Sequence, residues 1–192
     1  AIHNIIVENN ITKSEDKSVK EIKELKRDYE LVEINDNEIN CYLDARNQQV
    51  NLEKMIDKEA IPRINHYLWW LKSNKRTSYV LKQNQKNLLY IWHQVNKVKK
   101  DNVIISGWFI SDQSCSALDA MHAITEHSRI LDNLFPRYYW IIVMTFDNHF
   151  MQKLHRRLNF KVVEKGGKIE KIVNQSFPKA KSNEFISFYK KI

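Results

Sequence analysis

The stretch Ile141-Ile-Val-Met-Thr-Phe-Asp-Asn148-His-Phe-Met-Gln-Lys-Leu-His155-Arg-Arg-Leu158-Asn159-Phe160 decides how the rest of this chain is read. It begins inside a continuous apolar run over residues 138–146, rich in aromatic and β-branched side chains, as a central strand buried on both faces requires. Residues 150–158 then read as a helix, with Asp147 and Asn148 as N-cap candidates. Asn159 follows, and asparagine is the non-glycine residue that best tolerates the left-handed conformation of a helix end. Residues 160–164 start a further strand. Strand, helix and strand in so short a span imply a sheet with a helix packed on it.

Working towards the N-terminus, residues 116–134 read as a long helix, with Leu118, Met121, Ile124, Ile130 and Leu134 on one face and Pro136 closing it. Three strand-like runs precede it, over residues 78–82, 88–95 and 103–110. Asn84-Gln85 and residues 97–102 supply the turns between them, so an antiparallel meander is expected. Residues 61–71 form a helix with Ile64, Leu68 and Leu71 at helical spacing, ended by Ser73-Asn74. Further upstream lie a turn leading into a short helix over 36–46 and a strand over 29–34. On the C-terminal side, Gly166-Gly167 makes a turn and residues 185–189 a last strand. The reading is one α/β domain over residues 29–192, a mixed sheet with helices on both faces. Residues 1–28 form a charged N-terminal extension in which Ser18 and Glu21 have capping-box spacing and Val19, Ile22 and Leu25 make a narrow apolar stripe.

Composition agrees with a packed globule: 192 residues, 43% hydrophobic and 11% aromatic. Two cysteines, Cys41 and Cys115, make neither a disulfide framework nor a four-cysteine zinc site. The 138–146 run is half the length of a membrane helix, and the first residues lack the features of a signal peptide, so a cytoplasmic setting without a membrane partner is expected. His122, Glu126 and His127 lack a third fixed ligand, and no metal is expected.

The net charge of +8 is unevenly spread. Between Ala60 and Lys100 there is no acid, but there are nine basic residues, Arg63 and Arg76 among them, interleaved with Trp69, Trp70, Tyr79, Tyr90 and Trp92. Such a window suits an anionic partner, whether a nucleotide, a phosphorylated cofactor or nucleic acid. It equally suits lysines that solubilise turns and edge strands. No nucleic-acid motif accompanies it, so nucleic acid is not the preferred partner.

The order of elements and several local patterns resemble the GNAT family of acyl-CoA-dependent N-acetyltransferases. Members commonly carry a strand, an Asn, a helix with a Leu–Tyr pair, and a Leu-Gly-Phe ending. Asn148, Leu154-His155 and Leu158-Asn159-Phe160 stand in those places. Arg46-Asn47, followed by His66-Tyr-Leu-Trp69, looks like the Arg-Asn … His-x-x-Trp pattern of a subgroup that acetylates amino groups on nucleotide-linked or polysaccharide sugars. The family's phosphate loop corresponds to Gln113-Ser-Cys-Ser116-Ala117-Leu118. Its two glycine positions are filled by Ser116 and Leu118, and a side chain at the close-approach point would push a phosphate away.

What the resemblance implies is a GNAT-like, strongly twisted mixed sheet with an antiparallel N-terminal meander and a central parallel strand pair. Acetyl-CoA would be the co-substrate and a primary amine the acceptor, preferably on a nucleotide-linked amino sugar, acetylated by direct attack. The cofactor would meet the backbone of Gly107, Trp108 and Phe109, the loop residues Gln113, Ser114, Cys115, Ser116 and Ala117, and Asn148. His155 would be the general acid for the leaving thiolate, since an imidazole exchanges protons near neutrality. Arg46, Asn47, His66 and Trp69 would bind the acceptor, with His66 also a base. For each residue a plain role stands beside this one: Gly107 relieving contact with an aromatic, Asn148 capping its helix, His155 exposed on a basic helix, His66 and Trp69 packing theirs. At a helix start the Cys115 thiolate would be favoured. The rival to an enzyme is a GNAT-shaped binding or regulatory protein whose loop no longer holds CoA; a nucleic-acid-binding module is the third. The oligomeric state is left open, a dimer included.

Overall fold

The computed structural model describes residues 28–72, 75–180 and 183–192. Seven strands form one sheet: β1 (Tyr29–Glu33), β2 (Arg76–Gln83), β3 (Lys86–Val98), β4 (Asp101–Ile110), β5 (Tyr139–Thr145), β6 (Lys161–Val162) and β7 (Phe185–Lys191), in the order β1-β2-β3-β4-β5-β7-β6. The first four are an antiparallel meander. Its tight turns use left-handed residues, Asn84 and Gln85 between β2 and β3 and Lys99 between β3 and β4. β4 and β5 are parallel, and β7 returns antiparallel between β5 and β6. The expected fold class is thus observed.

Among the described residues six α-helices connect and cover the sheet: α1 (Ile39–Arg46), α2 (Gln49–Leu52), α3 (Arg63–Lys72), α4 (Ala117–Leu134), α5 (His149–Arg157) and α6 (Lys168–Ser176). α4 and α5 pack on one face, burying Ala120, Ile124, Leu131, Met151 and Leu154 against Leu89, Ile91, Ile104, Trp140 and Ile142. The opposite face is covered by α1, whose Tyr42 and Ala45 meet Val80, Tyr90 and Phe109, and by α6, whose Ile172 and Val173 meet Val103, Ile105 and Ile141. Alternate residues of each strand thereby serve two cores.

Several elements depart from the sequence reading. In α3 the expected inward stripe lies outside, with Ile64, Leu68 and Leu71 exposed, while His66 is buried and Trp70 packs on Tyr42. Aromatic rings with a polar tip offer more area and find acceptors here: Trp70 Nε1 donates to Asp36 Oδ1 (2.9 Å), and His66 Nε2 lies 3.1 Å from the Ile39 carbonyl. In α4, Leu118 and Leu134 are likewise exposed, because Ala120, Ala123, Ile124, His127 and Leu131 form the inward face. The small alanines let the helix approach the sheet closely. Ser116 and Asp119 cap α4 reciprocally. Helix α6 was not expected; it has the spacing Ile169, Ile172, Val173 directly after Gly167. The strand expected over 160–164 shrinks to the edge pair Lys161–Val162. The helix expected within residues 1–28 and the stop at Ser73-Asn74 lie outside the described residues. Asn159 does adopt the left-handed conformation, with φ 65°.

Candidate functional site

β4 and β5 pair only where Val103, Ile104 and Ile105 meet Tyr139, Trp140 and Ile141. Beyond that point the two strands part. Ser111 N–H donates to the Leu88 carbonyl (2.8 Å), so alternation directs the backbone groups of Phe109 and Gly107 to β3 and those of Ile110, Trp108 and Ser106 towards the gap. Asn51 satisfies Ile110 there: its amide donates to the Ile110 carbonyl (2.8 Å) and its oxygen accepts from the Ile110 N–H (3.1 Å). That leaves the backbone of Trp108 turned into the gap. At the closed end, Trp140 Nε1 donates to Ser106 Oγ.

A cavity of about 600 Å³ runs through this gap and reaches both faces of the sheet. On the α4–α5 side it meets Ile124, His127, Met151 and His155; on the other it meets Tyr42, Arg46, His66, Trp69, Arg76 and Trp92. The structure therefore brings Arg46, His66, Trp69, Gly107, Trp108, Phe109, Asn148 and His155 to one cavity, from sequence positions more than a hundred residues apart. Asn47, Gln113, Ser114, Cys115, Ser116 and Ala117 do not line it.

Asn47 is a clamp: its amide donates to the Ile61 carbonyl and its oxygen accepts from the Ile61 N–H, both at 2.9 Å, fixing the segment that leads into α3. Gly107 is a glycine because of Trp92: a Cβ there would sit 2.8 Å from the indole carbon Cζ2. Asn148 caps α5 by accepting from Met151 N–H (3.2 Å) while its side chain also borders the cavity. At the cavity mouth Lys54 pairs with Asp147 and Lys179 with Asp57, each at 2.6 Å.

The loop matched to the family's phosphate loop is engaged with its own chain. Ser114 N–H and Oγ–H both donate to Asp112 Oδ1, Cys115 N–H to the Asp112 carbonyl, and Ser116 N–H to Asp119 Oδ2. Lys86 sits 2.8 Å from Asp112. Three amides that would cradle a pyrophosphate are thus committed to the chain's own oxygens, two of them to carboxylates, so the loop as folded does not fit that group. At the same helix start, Asp119 N–H donates to Ser116 Oγ. Asp119, Asp112 and burial raise the Cys115 thiol to about 11, with burial the largest cause. The expected thiolate is reversed, since burial, joined by the two carboxylates, outweighs the helix end.

Burial shapes the imidazoles. His155, expected as an exposed residue or a proton donor, is buried and pushed down to about 4 by desolvation. Its Nδ1 lies 2.8 Å from the Met151 carbonyl, which can only accept, so Nδ1 carries the proton and Nε2 presents a lone pair. The same logic gives His66 an N–H at Nε2, facing Ile39, and a lone pair at Nδ1; burial is the main cause of its lowered pKa, and the Arg76 charge adds to it. His93 and His127 form a buried pair, Nδ1 to Nε2 at 3.1 Å, held down at about 4 and about 3 chiefly by burial. His127 reaches the cavity, whereas Glu126 pairs with Arg129 and Asp112 with Lys86.

Sequence reasoning missed Tyr42, Arg76 and Trp92 as cavity residues, although the basic–aromatic window contained the last two. Arg76 lies 3.7 Å from the Trp92 ring centre and 4.8 Å from that of Trp69. Other basic residues of the window are spent on acids outside it, Arg63 on Asp44 and Lys82 on Glu38. Among the described residues no group of three His, Cys, Asp or Glu could hold a metal ion, and no helix is long and apolar enough to cross a membrane.

Neither a protein-family model nor a curated protein sequence matches the chain. Solved structures do. A domain from Methanocaldococcus jannaschii DSM 2661 is 17% identical over 87% of this chain and 100% of that one, with a TM-score of 0.65. A ribosomal-protein-alanine N-acetyltransferase from Brucella melitensis is 10% identical over 85% and 99%, with a TM-score of 0.63. The Campylobacter jejuni N-acetyltransferase PseH, in complex with acetyl coenzyme A, is 10% identical over 85% and 98%, with a TM-score of 0.52. At these identities the likeness is one of fold, and the fold is GNAT-like.

Proposed function

We propose that this chain is an acetyl-CoA-dependent N-acetyltransferase acting on a primary amine by direct transfer, with a nucleotide-linked amino sugar as the favoured acceptor. The observation that carries the reading is the gap between β4 and β5, through which one cavity joins the two faces of the sheet. The N-acetyltransferase names of the Brucella and Campylobacter neighbours support it, as does the acetyl coenzyme A held by the latter. A cytoplasmic setting accompanies this reading.

Acetyl-CoA would supply the thioester. The Trp108 N–H, turned into the gap and fixed by the strand, is the donor for the developing oxyanion. Asn148 offers its amide N–H to the pantetheine arm while its oxygen caps α5. His66, neutral at physiological pH, takes the proton of the attacking amine at Nδ1; that proton is finally balanced by the one the thiol gains. His155 acts in this scheme as a hydrogen-bond acceptor at Nε2 that orients a bound N–H, since a neutral imidazole protonated at Nδ1 has no proton to give there. Trp69 supplies a flat face for a sugar or base.

One observation favours a second reading. The self-bonded loop at residues 112–119 suits a GNAT-shaped binding or regulatory protein that does not grip CoA by its pyrophosphate. Calorimetric titration with acetyl-CoA, and separately with CoA, decides between them. Saturable binding near the micromolar range is expected. A folded protein that binds neither would overturn the transferase reading and leave the second.

A further inference from the structure

The cavity holds two guanidinium groups and one hydroxyl that the chain does not satisfy. Arg46 Nη1, Arg76 Nε and the Tyr42 hydroxyl are buried, and each lacks a hydrogen-bond partner among the described residues. All three residues line the cavity on its α1–α3 side. Buried donors without acceptors are costly, and buried charges more so.

We propose that Tyr42, Arg46 and Arg76 form a subsite for an anionic group, a carboxylate or a phosphate, carried by the molecule that enters from this side. Under the transferase reading that molecule is the acceptor, but the subsite itself does not depend on that reading. Neither guanidinium forms an ion pair among the described residues. Arg46 reaches only the Asp57 carbonyl through Nη2 (3.0 Å), because the Asp57 carboxylate is held by Lys179. Arg76 has one long contact, Nη2 to Gln94 Oε1 at 3.5 Å. Burial is the main cause of the lowered Arg46 pKa; the nearby Asp57 carboxylate and Tyr42 oppose it, and the Arg76 charge adds a smaller lowering.

Geometry sharpens the case. Arg76 lies over the rings of Trp92 and Trp69, which fixes the plane of its guanidinium without using its N–H donors. Tyr42 is only 3% exposed, so its hydroxyl gains little from water. A single anion between the arginines would neutralise the like-charge pair and accept from the idle donors together, which is the use to which Arg is best suited. An acceptor without an anionic group would leave these buried donors unpaired.

The test is titration of the full-length protein with inorganic phosphate and, in a second arm, with acetate, followed by tryptophan fluorescence, because Trp69 and Trp92 touch Arg76. Saturable binding of at least one anion is expected, weakened about tenfold or more in both Arg76→Met and Arg46→Met. The phosphate arm winning identifies a phosphorylated ligand, and the acetate arm a carboxylate. Binding should persist when CoA is present in excess; displacement by CoA would assign the arginines to the acyl donor and overturn the proposal. So would a wild-type protein that binds neither anion saturably, or binding that both variants retain. A protein that binds phosphate but not CoA would keep this subsite while the transferase reading fell. Circular dichroism checks that each variant is folded, and either one alone suffices for the comparison.

Discussion

Trp140 donates its indole N–H to the hydroxyl of Ser106 across 2.7 Å, at the level where β4 and β5 stop pairing. Trp140 is 1% exposed, so water cannot replace this acceptor. Ser106→Ala removes it and leaves a buried N–H unsatisfied, which costs about 1–3 kcal/mol of stability. Urea denaturation of the variant measures this. An unchanged midpoint would mean that the bond contributes nothing at the apex of the gap.

His66 and His155 are separable by kinetics. His66→Gln is expected to lower kcat by about two orders of magnitude or more, as for loss of a general base, with acetyl-CoA affinity unchanged. His155→Phe keeps ring bulk beside Phe160 and Phe188 and should lower turnover only about tenfold. The decisive readout is the pH–rate profile: His155→Phe should keep the shape of the wild type between pH 6 and 8, because His155 stays neutral throughout that range. A limb lost from that range in His155→Phe would restore His155 as a titrating acid.

Acid sensitivity should come from the buried imidazoles. His93 and His155 are held at about 4 and His127 at about 3, against an unfolded value of about 6.5. Between those limits the unfolded chain binds more protons, so stability is full above the unfolded value and falls as pH drops towards the folded ones. Each histidine contributes a slope of up to about 1.4 kcal/mol per pH unit. Denaturation midpoints at pH 7, 6, 5 and 4 test this, and His155→Phe should flatten the slope near pH 5 by one proton. A flat profile from pH 7 to 5 would contradict the buried, neutral state of all three.

The two thiols should differ in reactivity. Cys41 is exposed, whereas Cys115 is half-buried with its pKa near 11. Iodoacetamide at pH 8 should therefore label one site quickly, identified by peptide mass as Cys41, with Cys115 labelled far more slowly. Fast labelling of Cys115 would show that burial and the carboxylates of Asp119 and Asp112 do not suppress its thiolate.

What could be read from the chain follows from which physical effect each residue answers to. The apolar run before Asn148, the Asn84-Gln85 turn and the left-handed Asn159 are local signals, and such signals placed most of the strands and several of the helices. Inward faces were less legible. Ile64, Leu68 and Leu71 have the right spacing, but Trp70 and His66 found acceptors at Asp36 and Ile39, which no spacing rule encodes. Helix α6 was legible in Ile169, Ile172 and Val173 and simply lay behind a glycine pair. In the site, Arg46, His66, Trp69 and Asn148 arrived through resemblance and share the cavity. Arg76 could not be singled out from eight other basic residues, because its distinction is two indole rings from different elements. The commitment of the loop amides to Asp112 and Asp119 likewise depends on the turn that those carboxylates themselves create.

The passage through the sheet has a consequence for order of events. A pocket with one mouth forces two reactants to enter in sequence, the first becoming the floor for the second. A cavity lined from both faces of the sheet has no such hierarchy: each partner lies on its own side of the gap, and neither must wait for the other to leave. Initial-rate patterns should then show random addition, and each product should inhibit competitively only against the substrate whose side of the gap it occupies.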